Sequence, residues 1–428
     1  MTADKSADKA IFARRESEVR SYCRSFDTVF ASAKGAILTD TEGRDYIDFL
    51  AGCSSLNYGH NDPDMKAALV EHVASDGIAH GLDMYSREKA AFLETFERLV
   101  LAPRGMDHKV MMTGPTGTNA VEAAIKLARK VTGRTEVVAF TNGFHGMTLG
   151  ALALTGNRSK RAGAGQPLSG VTHMPYDGAL GEDVDTLPMI EAMIENSSSG
   201  TDLPAAFVVE PVQGEGGLNA ASAEWLKGLE TLARKHGILL IVDDIQAGIG
   251  RAGGFFSTDG MGIEPDMITL AKSLSGFGLP FALTLLRPEH DIWKPAEHNG
   301  TFRGNTHAFV TARVALEKFW ADDAFETEVA RKGAHLEKRL GEMAGMVPGA
   351  RLKGRGMMRG IDVGSGELAG AVCARAFDKG LVIETSGADD EVVKVLAPLT
   401  IEDEVFDRGL DILEAAIREE TAKPMAAE

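Results

Sequence analysis

The chain has 428 residues, of which 44% are hydrophobic and 25% are charged, as in a water-soluble globular protein. Its 45 basic and 62 acidic residues give a net charge of −17, which argues against nucleic acid or an anionic membrane as a partner. This length exceeds one ordinary hydrophobic core, so we expect a large domain and a smaller one.

The cysteines and the N-terminus indicate the compartment. Cys23, Cys53 and Cys373 are odd in number and widely spaced, so neither a disulfide framework nor a metal site is predicted. The N-terminus is polar and charged, unlike a signal peptide, and no apolar run approaches membrane length. These features predict a cytoplasmic protein with no membrane attachment.

The first part of the chain is predicted to be a small α+β region. Residues 9–24 have a helical pattern, and residues 39–52 are predicted to form a strand, a turn and a second strand. Helical patterns follow over residues 63–75 and 86–100, with Pro63 suited to the first turn of its helix.

From Lys109 the pattern changes to alternating strands and helices. Strands are predicted near residues 110, 135–140, 205–210, 238–242 and 267–271, and helices at residues 117–132, 186–197 and 222–236. The first of these helices has an apolar stripe and ends at Gly133, a good C-terminal stop. Alternation of this kind predicts a mainly parallel sheet with helices on both faces.

The remaining residues are predicted to complete the smaller domain. Helices are expected at residues 307–320, 324–345, 367–379 and 403–420, and strands at 353–363, 381–385 and 391–396. We therefore predict an α/β protein with a large domain at residues 63–320. Residues 1–62 and 321–428 would form a smaller α+β domain from both chain ends.

Two strand ends carry an acid and an amine. The apolar run Ile238–Val242 ends on Asp243, and the run Met267–Ala271 ends on Lys272. In open α/β sheets ligands bind beyond the carboxyl ends of the strands. Pyridoxal phosphate needs both groups, since it forms a Schiff base with a lysine and keeps its ring nitrogen protonated beside a carboxylate. Taken singly, a solvated lysine and a loop acid are the more common explanations.

The turn at residues 114–119 supplies a candidate phosphate site. Gly117 and Thr118 stand at a predicted helix start, where backbone N–H groups and the helix dipole bind phosphate. The Walker lysine and the G-x-G-x-x-G pattern are both missing, so a nucleotide is disfavoured. Such a helix start alone is usually only a cap. Combined with Asp243 and Lys272, it meets the three demands of pyridoxal phosphate.

These blocks resemble the class III (ω-amino acid) aminotransferases of fold type I over residues 30–420. The resemblance implies that Lys272 in ITLAKSLSGFGLP forms the Schiff base and that Asp243 in LLIVDDIQAGIGR pairs with the ring nitrogen. The other cofactor contacts that it implies are Gln246 at the phenolic oxygen, Phe144 on the ring face, Gly117 and Thr118 at the phosphate, and Thr301 at the phosphate of the neighbouring subunit. The protein would therefore be a homodimer or a higher homo-oligomer.

Departures from the family pattern concern the substrate. The resemblance implies that Glu215 is the gate glutamate and that Glu210 is a supporting acid. Met147 replaces an arginine that many members use for a substrate carboxylate, and Lys394 replaces the arginine that pairs with the gate. Lysine keeps the charge but loses the bidentate fork. Our hypothesis is that Arg303, which stands where the family has a glycine, restores part of the carboxylate recognition.

Four strings, ESEVRSYCRSF, SLNYGHNDP, SGFGLPFALTLL and AEHNGTFRGN, resemble one subfamily, the transaminases that open ectoine biosynthesis, a route to osmoadaptation. Their reaction moves the amino group of L-glutamate to L-aspartate 4-semialdehyde, giving L-2,4-diaminobutyrate and 2-oxoglutarate. The alternatives are an ω-aminotransferase for ornithine, acetylornithine or 4-aminobutyrate, and an aminomutase of the same fold. A catalytically dead binding subunit is disfavoured because Lys272 and Asp243 are both present.

Overall fold

The computed structural model describes residues 5–181 and 183–422. Its α-helices are α1 Lys5–Arg15, α2 Tyr22–Ser25, α3 Ala51–Ser54, α4 Pro63–Ala74, α5 Arg87–Phe96, α6 Gly117–Thr132, α7 Leu149–Leu154, α8 Arg158–Ala162, α9 Leu187–Glu195, α10 Ala223–His236, α11 Thr306–Phe319, α12 Ala324–Ala344, α13 Gly366–Asp378 and α14 Asp403–Thr421. Its strands are β1 Phe30–Lys34, β2 Ile37–Asp40, β3 Asp45–Asp48, β4 Lys109–Met112, β5 Val137–Phe140, β6 Val171–Met174, β7 Ala206–Val209, β8 Val212–Gln213, β9 Asn219–Ala220, β10 Leu239–Asp243, β11 Met267–Leu270, β12 Leu283–Leu286, β13 Arg351–Arg355, β14 Met358–Asp362, β15 Leu381–Val382, β16 Glu384–Ser386 and β17 Val392–Val395.

The central sheet has seven strands in the order β4-β12-β11-β10-β7-β5-β6. Strand β12 runs antiparallel to both of its neighbours, whereas the pairs from β11 to β6 are all parallel. The predicted mainly parallel sheet is therefore confirmed. Strand β12 itself was not predicted, and a short apolar run would not have revealed its direction.

Strand alternation divides the core into two layers. On β10, Leu240 and Val242 pack with residues of α10, whereas Leu239 and Ile241 pack with residues of α6 on the opposite face. Successive side chains of a strand point to opposite faces, so an unbroken apolar run is what a sheet covered on both sides requires. Each aliphatic side chain buried in this way contributes about 1.5–3 kcal/mol.

Helix α6 has the boundaries that its sequence predicts. Thr116 precedes it, and both the backbone N–H and the hydroxyl of Thr116 donate to Oδ1 of Asn119 in the first turn. Gly133 ends the helix with a φ of 69°, a left-handed conformation that glycine adopts without strain. The N-terminus of α6 is thereby fixed at the edge of the sheet where β10 and β11 end.

The remaining sheets join distant parts of the chain. Strand β15 pairs with β3 in the order β1-β2-β3-β15, so this sheet draws on both chain ends. A second sheet has the order β13-β14-β17-β16. Such pairing is what a small domain built from both ends requires. The domain boundaries at residues 62 and 320 stay a prediction.

Arg251 ties these parts to the segment that follows β10. Its guanidinium is fully buried and donates to Oδ1 of Asn57 at 2.7 Å and to the carbonyl oxygens of Met357 and Ala397. Five N–H donors in a rigid fork suit an arginine to such a junction. The segment beyond Asp243 is therefore held against both chain ends.

The predicted helix over residues 9–24 is wrong in its middle, because α1 ends at Arg15 and α2 begins at Tyr22. The backbone N–H of Val19 donates to the Ser17 hydroxyl at 3.4 Å, a local bond that competes with the helical pattern. Val19 is 87% exposed, so no packing favours a helix there. Among the described residues, no helix combines the length and the apolar composition that crossing a bilayer requires.

Candidate active site

The ends of β10 and β11 bring Asp243 and Lys272 to one cavity. The two strands are parallel neighbours, with Asp243 opposite Thr269, and Lys272 comes two residues after the end of β11. The cavity is lined by Gly117, Thr118, Phe144, His145, Gly146, Glu210, Glu215, Asp243, Ile245, Gln246 and Lys272. Eight of the eleven residues that the sequence singled out therefore lie around a single space.

Lys272 holds an unfavourable backbone conformation. Its φ is 50°, in the left-handed region that residues with a side chain rarely occupy. Such strain persists only where the surroundings fix it, and it is concentrated at functional sites. A short 3-10 helix, Lys272–Ser275, starts at this residue. Ser273 within it donates to the carbonyl oxygen of Ser54 and accepts from the N–H of Asn57, which anchors the turn.

His145 holds the carboxylate of Asp243 from behind. Nδ1 of His145 lies 2.7 Å from Oδ2 of Asp243, and both side chains are almost fully buried. Burial lowers the pKa of His145, but the hydrogen bond and the charge of Asp243, with the charge of Glu210, outweigh burial and raise it. From the sequence alone, His145 could equally be an ordinary core histidine. Its position directly after Phe144, in a block expected to touch the cofactor, was the feature that could have indicated a role in the site.

Glu210 fixes the loop that carries Phe144. Its carboxylate accepts from the N–H of Phe144 at 2.8 Å and from the N–H of Gly214 at 3.4 Å. Burial, with a smaller contribution from the charge of Asp243, raises the pKa of Glu210 to about 7, although the charge of His145 opposes the rise. Glu210 thus belongs to the same buried charge network as His145 and Asp243.

The start of α6 closes the cavity at its other end. Gly117 and Thr118 are the first residues of the helix, where N–H groups lack partners within the helix. A Cβ on Gly146 would lie 2.4 Å from Oγ1 of Thr118, so a larger residue at 146 requires Thr118 or the loop to move. The hydroxyls of Thr118 and Thr148 are 2.6 Å apart. Backbone donors and hydroxyls at a helix N-terminus suit a phosphate group.

Gln246 and Glu215 link the cavity to Lys394 on strand β17. Nε2 of Gln246 donates to Oε1 of Glu215 at 3.2 Å, and Nζ of Lys394 donates to the same oxygen at 3.0 Å. Oε1 of Gln246 is buried with no hydrogen-bond partner among the described residues. Burial raises the pKa of Glu215, but Lys394 and Lys272 outweigh burial and lower it to about 2.

Glu384 is an acid beside the cavity that was not predicted from the sequence. Its Oε1 lies 2.9 Å from Nζ of Lys394, close enough for an ion pair but not aligned as a hydrogen bond. Glu384 is directly opposite Lys394 in the pairing of β16 with β17. Both strands were predicted, so a hairpin register centred on residue 389 would have revealed the pair.

Thr301, Arg303 and Met147 lie away from the Lys272 cavity within this single chain. Thr301 is exposed in the turn before α11. Arg303 lines a separate cavity with Asp83, Tyr85 and Lys89, and its guanidinium donates to Oδ1 of Asn299 at 3.3 Å. Met147 is 54% exposed. The structure therefore places Lys394 beside the Lys272 cavity, through its ion pair with Glu215. It does not place Thr301, Arg303 or Met147 there.

The donor set of the cavity fits pyridoxal phosphate. An amine and a carboxylate stand at adjacent strand ends, a helix N-terminus faces the same space, and the Phe144 ring lines it. The buried Oε1 of Gln246 has no hydrogen-bond donor within the part of the chain that the structure describes. A phosphorylated aromatic ring with a reactive carbonyl and a basic nitrogen matches these groups.

Comparison with known proteins supports this chemistry. The aminotransferase class-III family profile matches residues 21–417. The chain is 56% identical over 414 residues to the diaminobutyrate–2-oxoglutarate transaminase of Halomonas elongata, covering 96% of this chain and 98% of the relative. It is 55% identical over 412 residues to the protein of that name from Nocardia farcinica, with 96% and 94% covered. An ornithine aminotransferase from Toxoplasma gondii, with pyridoxal phosphate at partial occupancy in its active site, superposes with a TM-score of 0.84 at 27% identity, covering 98% and 96%. This chain belongs to the class III aminotransferases.

Proposed function

We propose that this protein transfers the amino group of L-glutamate to the aldehyde carbon of L-aspartate 4-semialdehyde. The products are L-2,4-diaminobutyrate and 2-oxoglutarate, and in the cell the reaction would open ectoine biosynthesis. The observation that carries the chemistry is the meeting of Lys272 and Asp243 in one cavity. The substrates are supported by the names of the relatives at 55–56% identity.

The cofactor of this reaction is pyridoxal phosphate, as in the Toxoplasma gondii structure. When bound, it supplies the carbonyl that takes up the amino group and a ring that accepts the electron pair released at the reacting carbon. Gly117 and Thr118 would bind the phosphate, Phe144 would pack on the ring, and Gln246 would contact the phenolic oxygen.

Lys272 moves the proton of the reaction. Its Nζ would take the proton from the substrate carbon that bears the amino group and would return it to the cofactor carbon that takes up that group. Asp243 would keep a proton on the ring nitrogen of the bound cofactor, and its fixed carboxylate would stabilise the charge that develops there. His145 and Thr269 each hydrogen-bond one oxygen of Asp243, so the orientation of Asp243 is set before the substrate arrives.

The two substrates react at different ends, which one pocket must accommodate. L-Glutamate reacts at its α carbon, whereas the semialdehyde reacts at its terminal carbon. Glu215 and Lys394 form the candidate gate, because their ion pair lies between the cavity and β17. Lys394 can offer its charge to the second carboxylate of glutamate only when Glu215 releases it.

We further propose a cytoplasmic homodimer or higher homo-oligomer in which Thr301 serves the cofactor of the neighbouring subunit. Thr301 and Arg303 lie outside their own chain's Lys272 cavity, and exposed apolar side chains surround them. Phe302 is 65% exposed and Tyr85 fully exposed. Arg303 would then contribute to carboxylate recognition across the interface. The three free cysteines agree with a reducing compartment.

A panel of amines tests the proposed function. Under single-turnover conditions, the cofactor spectrum is followed with L-glutamate, L-2,4-diaminobutyrate, L-ornithine, acetylornithine and 4-aminobutyrate in turn. We expect glutamate and diaminobutyrate to give the fastest changes in the cofactor spectrum. Continued turnover should require an oxo acid. A faster reaction with ornithine, acetylornithine or 4-aminobutyrate would contradict the substrate, and turnover without an oxo acid would indicate an aminomutase.

A further inference from the structure

The buried ammonium of Lys394 is shared by two carboxylates. Its Nζ lies 3.0 Å from Oε1 of Glu215 and 2.9 Å from Oε1 of Glu384, and the Lys394 side chain has no exposed surface. One amine against two acids leaves a formal charge of −1 in this cluster. The pairing of Glu215 with Lys394 accounts for only one of the acids, so Glu384 requires a reason of its own.

The surplus charge lies beside the reacting amine. Glu215 lines the same cavity as Lys272, and the charges of Lys394 and Lys272 lower the pKa of Glu215. Burial and the charge of Glu215 raise the pKa of Glu384, while the charges of Lys394 and Lys272 oppose this rise. The next neighbour does not neutralise the surplus. The thiol of Cys53 lies 4.0 Å from Oε2 of Glu384, and burial, with Glu384 itself, raises the pKa of that thiol to about 11.

A wall with a negative surplus favours a substrate that brings a positive charge to its non-reacting end. L-2,4-Diaminobutyrate bears an α-ammonium group there, whereas 4-aminobutyrate is the same molecule without that group. Two close carboxylates attract an ammonium strongly where water is largely excluded. A lone Glu215–Lys394 pair, which sums to zero, would give no such preference.

We infer that Glu384 is a specificity-determining residue, which makes the pocket wall net negative and selects amines that carry a second ammonium group. This inference rests on the proposed function, since it concerns the binding of diaminobutyrate in the same cavity. Because Glu215 and not Glu384 lines the cavity, Glu384 acts through its ion pair with Lys394, which leaves the charge of Glu215 less neutralised.

The test is the Glu384→Gln variant, assayed with L-2,4-diaminobutyrate and 4-aminobutyrate. We expect kcat/KM of the first half-reaction to fall about 10- to 100-fold for diaminobutyrate, the range of one charged hydrogen bond, and to change less than about threefold for 4-aminobutyrate. Calorimetric binding of the two amines to cofactor-loaded protein in a Lys272→Ala background provides a readout without turnover, and the same ratio is expected there.

Two further variants separate selectivity from a structural role. Glu337→Gln removes an acid that pairs with Arg359 at 2.8 Å in the same domain, and it should leave both amines unaffected. Glu384→Asp keeps the charge and should retain the preference for diaminobutyrate. Equal losses for both amines in Glu384→Gln, or an unchanged ratio, would overturn the inference. The wild-type rate with diaminobutyrate reports separately on the proposed function.

Discussion

At the scale of single residues, hydrogen bonds to both carboxylate oxygens fix the orientation of Asp243. Oδ1 accepts from the Thr269 hydroxyl at 3.0 Å, and Oδ2 faces His145 at 2.7 Å. Since a carboxylate only accepts, Nδ1 of His145 carries the proton in this contact. A buried acid held in this way needs little reorganisation when it meets a ring nitrogen.

The His145–Asp243 contact predicts a pH-dependent stability. The pKa of His145 is raised above its ordinary value of 6.5 in the folded protein. The pair therefore stabilises the fold fully below the unfolded-state pKa, and this contribution is lost as the pH rises through the folded-state pKa. We expect His145→Leu to lower the free energy of unfolding more at pH 5.5 than at pH 9.

The urea midpoints of wild type and His145→Leu at the two pH values measure this difference. His173→Leu is the matched control, because the pKa of His173 is lowered, with burial the largest cause. The difference in unfolding free energy between His173→Leu and wild type should not be larger at pH 5.5 than at pH 9. If His145→Leu lost the same unfolding free energy at both pH values, or lost more at pH 9, the His145–Asp243 contact would not be an ion pair.

The sequence predicted the residues whose roles follow from strand ends and motif order, and it missed those that depend on pairing. Asp243 and Lys272 follow apolar runs, so their place at one sheet edge could be predicted. Glu384 and His145 could not be assigned in this way. Their partners, Lys394 and Asp243, lie across a β-ladder or 98 residues away in the chain.

At the scale of elements, the cavity depends on the close approach of a loop to the start of α6. Gly146 has a φ of 132°, and a Cβ there would lie 2.4 Å from the Thr118 hydroxyl. The hydroxyl of Thr148, which is within 2.6 Å of the Thr118 hydroxyl, donates to Glu122 at 2.7 Å. An added methyl group at 146 must therefore displace Thr118 or the loop.

We expect Gly146→Ala to weaken cofactor binding at least about tenfold, a loss of about 1.4 kcal/mol. Cofactor retained after dialysis, measured by absorbance, gives the affinity. Gly133→Ala is the control, since Gly133 also has a left-handed φ, of 69°, but a Cβ there would meet nothing within 4 Å. The control should lose about 1–2 kcal/mol of stability and keep its cofactor. Wild-type affinity in Gly146→Ala would mean that Thr118 does not contact the phosphate.

Element types were more predictable from sequence than their directions and pairings. The stretches that form α6, β10 and β11 have strong periodicity or length, and their boundaries were predicted to within a few residues. Strand β12 was not among the predicted strands, and its antiparallel direction is set by its connections and neighbours. The helix predicted over residues 9–24 is interrupted, because local serine bonding outweighs periodicity where nothing is buried.

At the scale of the whole molecule, the proposed dimer places Thr301 of one subunit at the cofactor of the other. Mixed dimers test this directly. Lys272→Ala and Thr301→Ala proteins are each expected to lose activity, the first almost completely. A dimer with one chain of each kind has one intact site if Thr301 acts across the interface, and no intact site if it acts within its own chain.

We expect activity to reappear when the two variants are unfolded and refolded together, at about one quarter of the wild-type level for random pairing of chains into dimers. Refolding each variant alone is the control. The absence of recovery, with mixed dimers shown to form by mass, would contradict a shared site. Sequence could indicate this arrangement only through family resemblance, because one chain carries no direct signal of what its partner contributes.

The central claim is that Lys272 binds the cofactor covalently while Asp243 faces the ring nitrogen. Borohydride reduction of the cofactor-loaded protein, followed by peptide mass mapping, tests it most directly. We predict that only the peptide that contains Lys272 carries the mass of the reduced cofactor. Asp243→Ala should shift the cofactor absorbance while the reduced cofactor stays attached to Lys272. A label on another lysine, or none at all, would contradict the account.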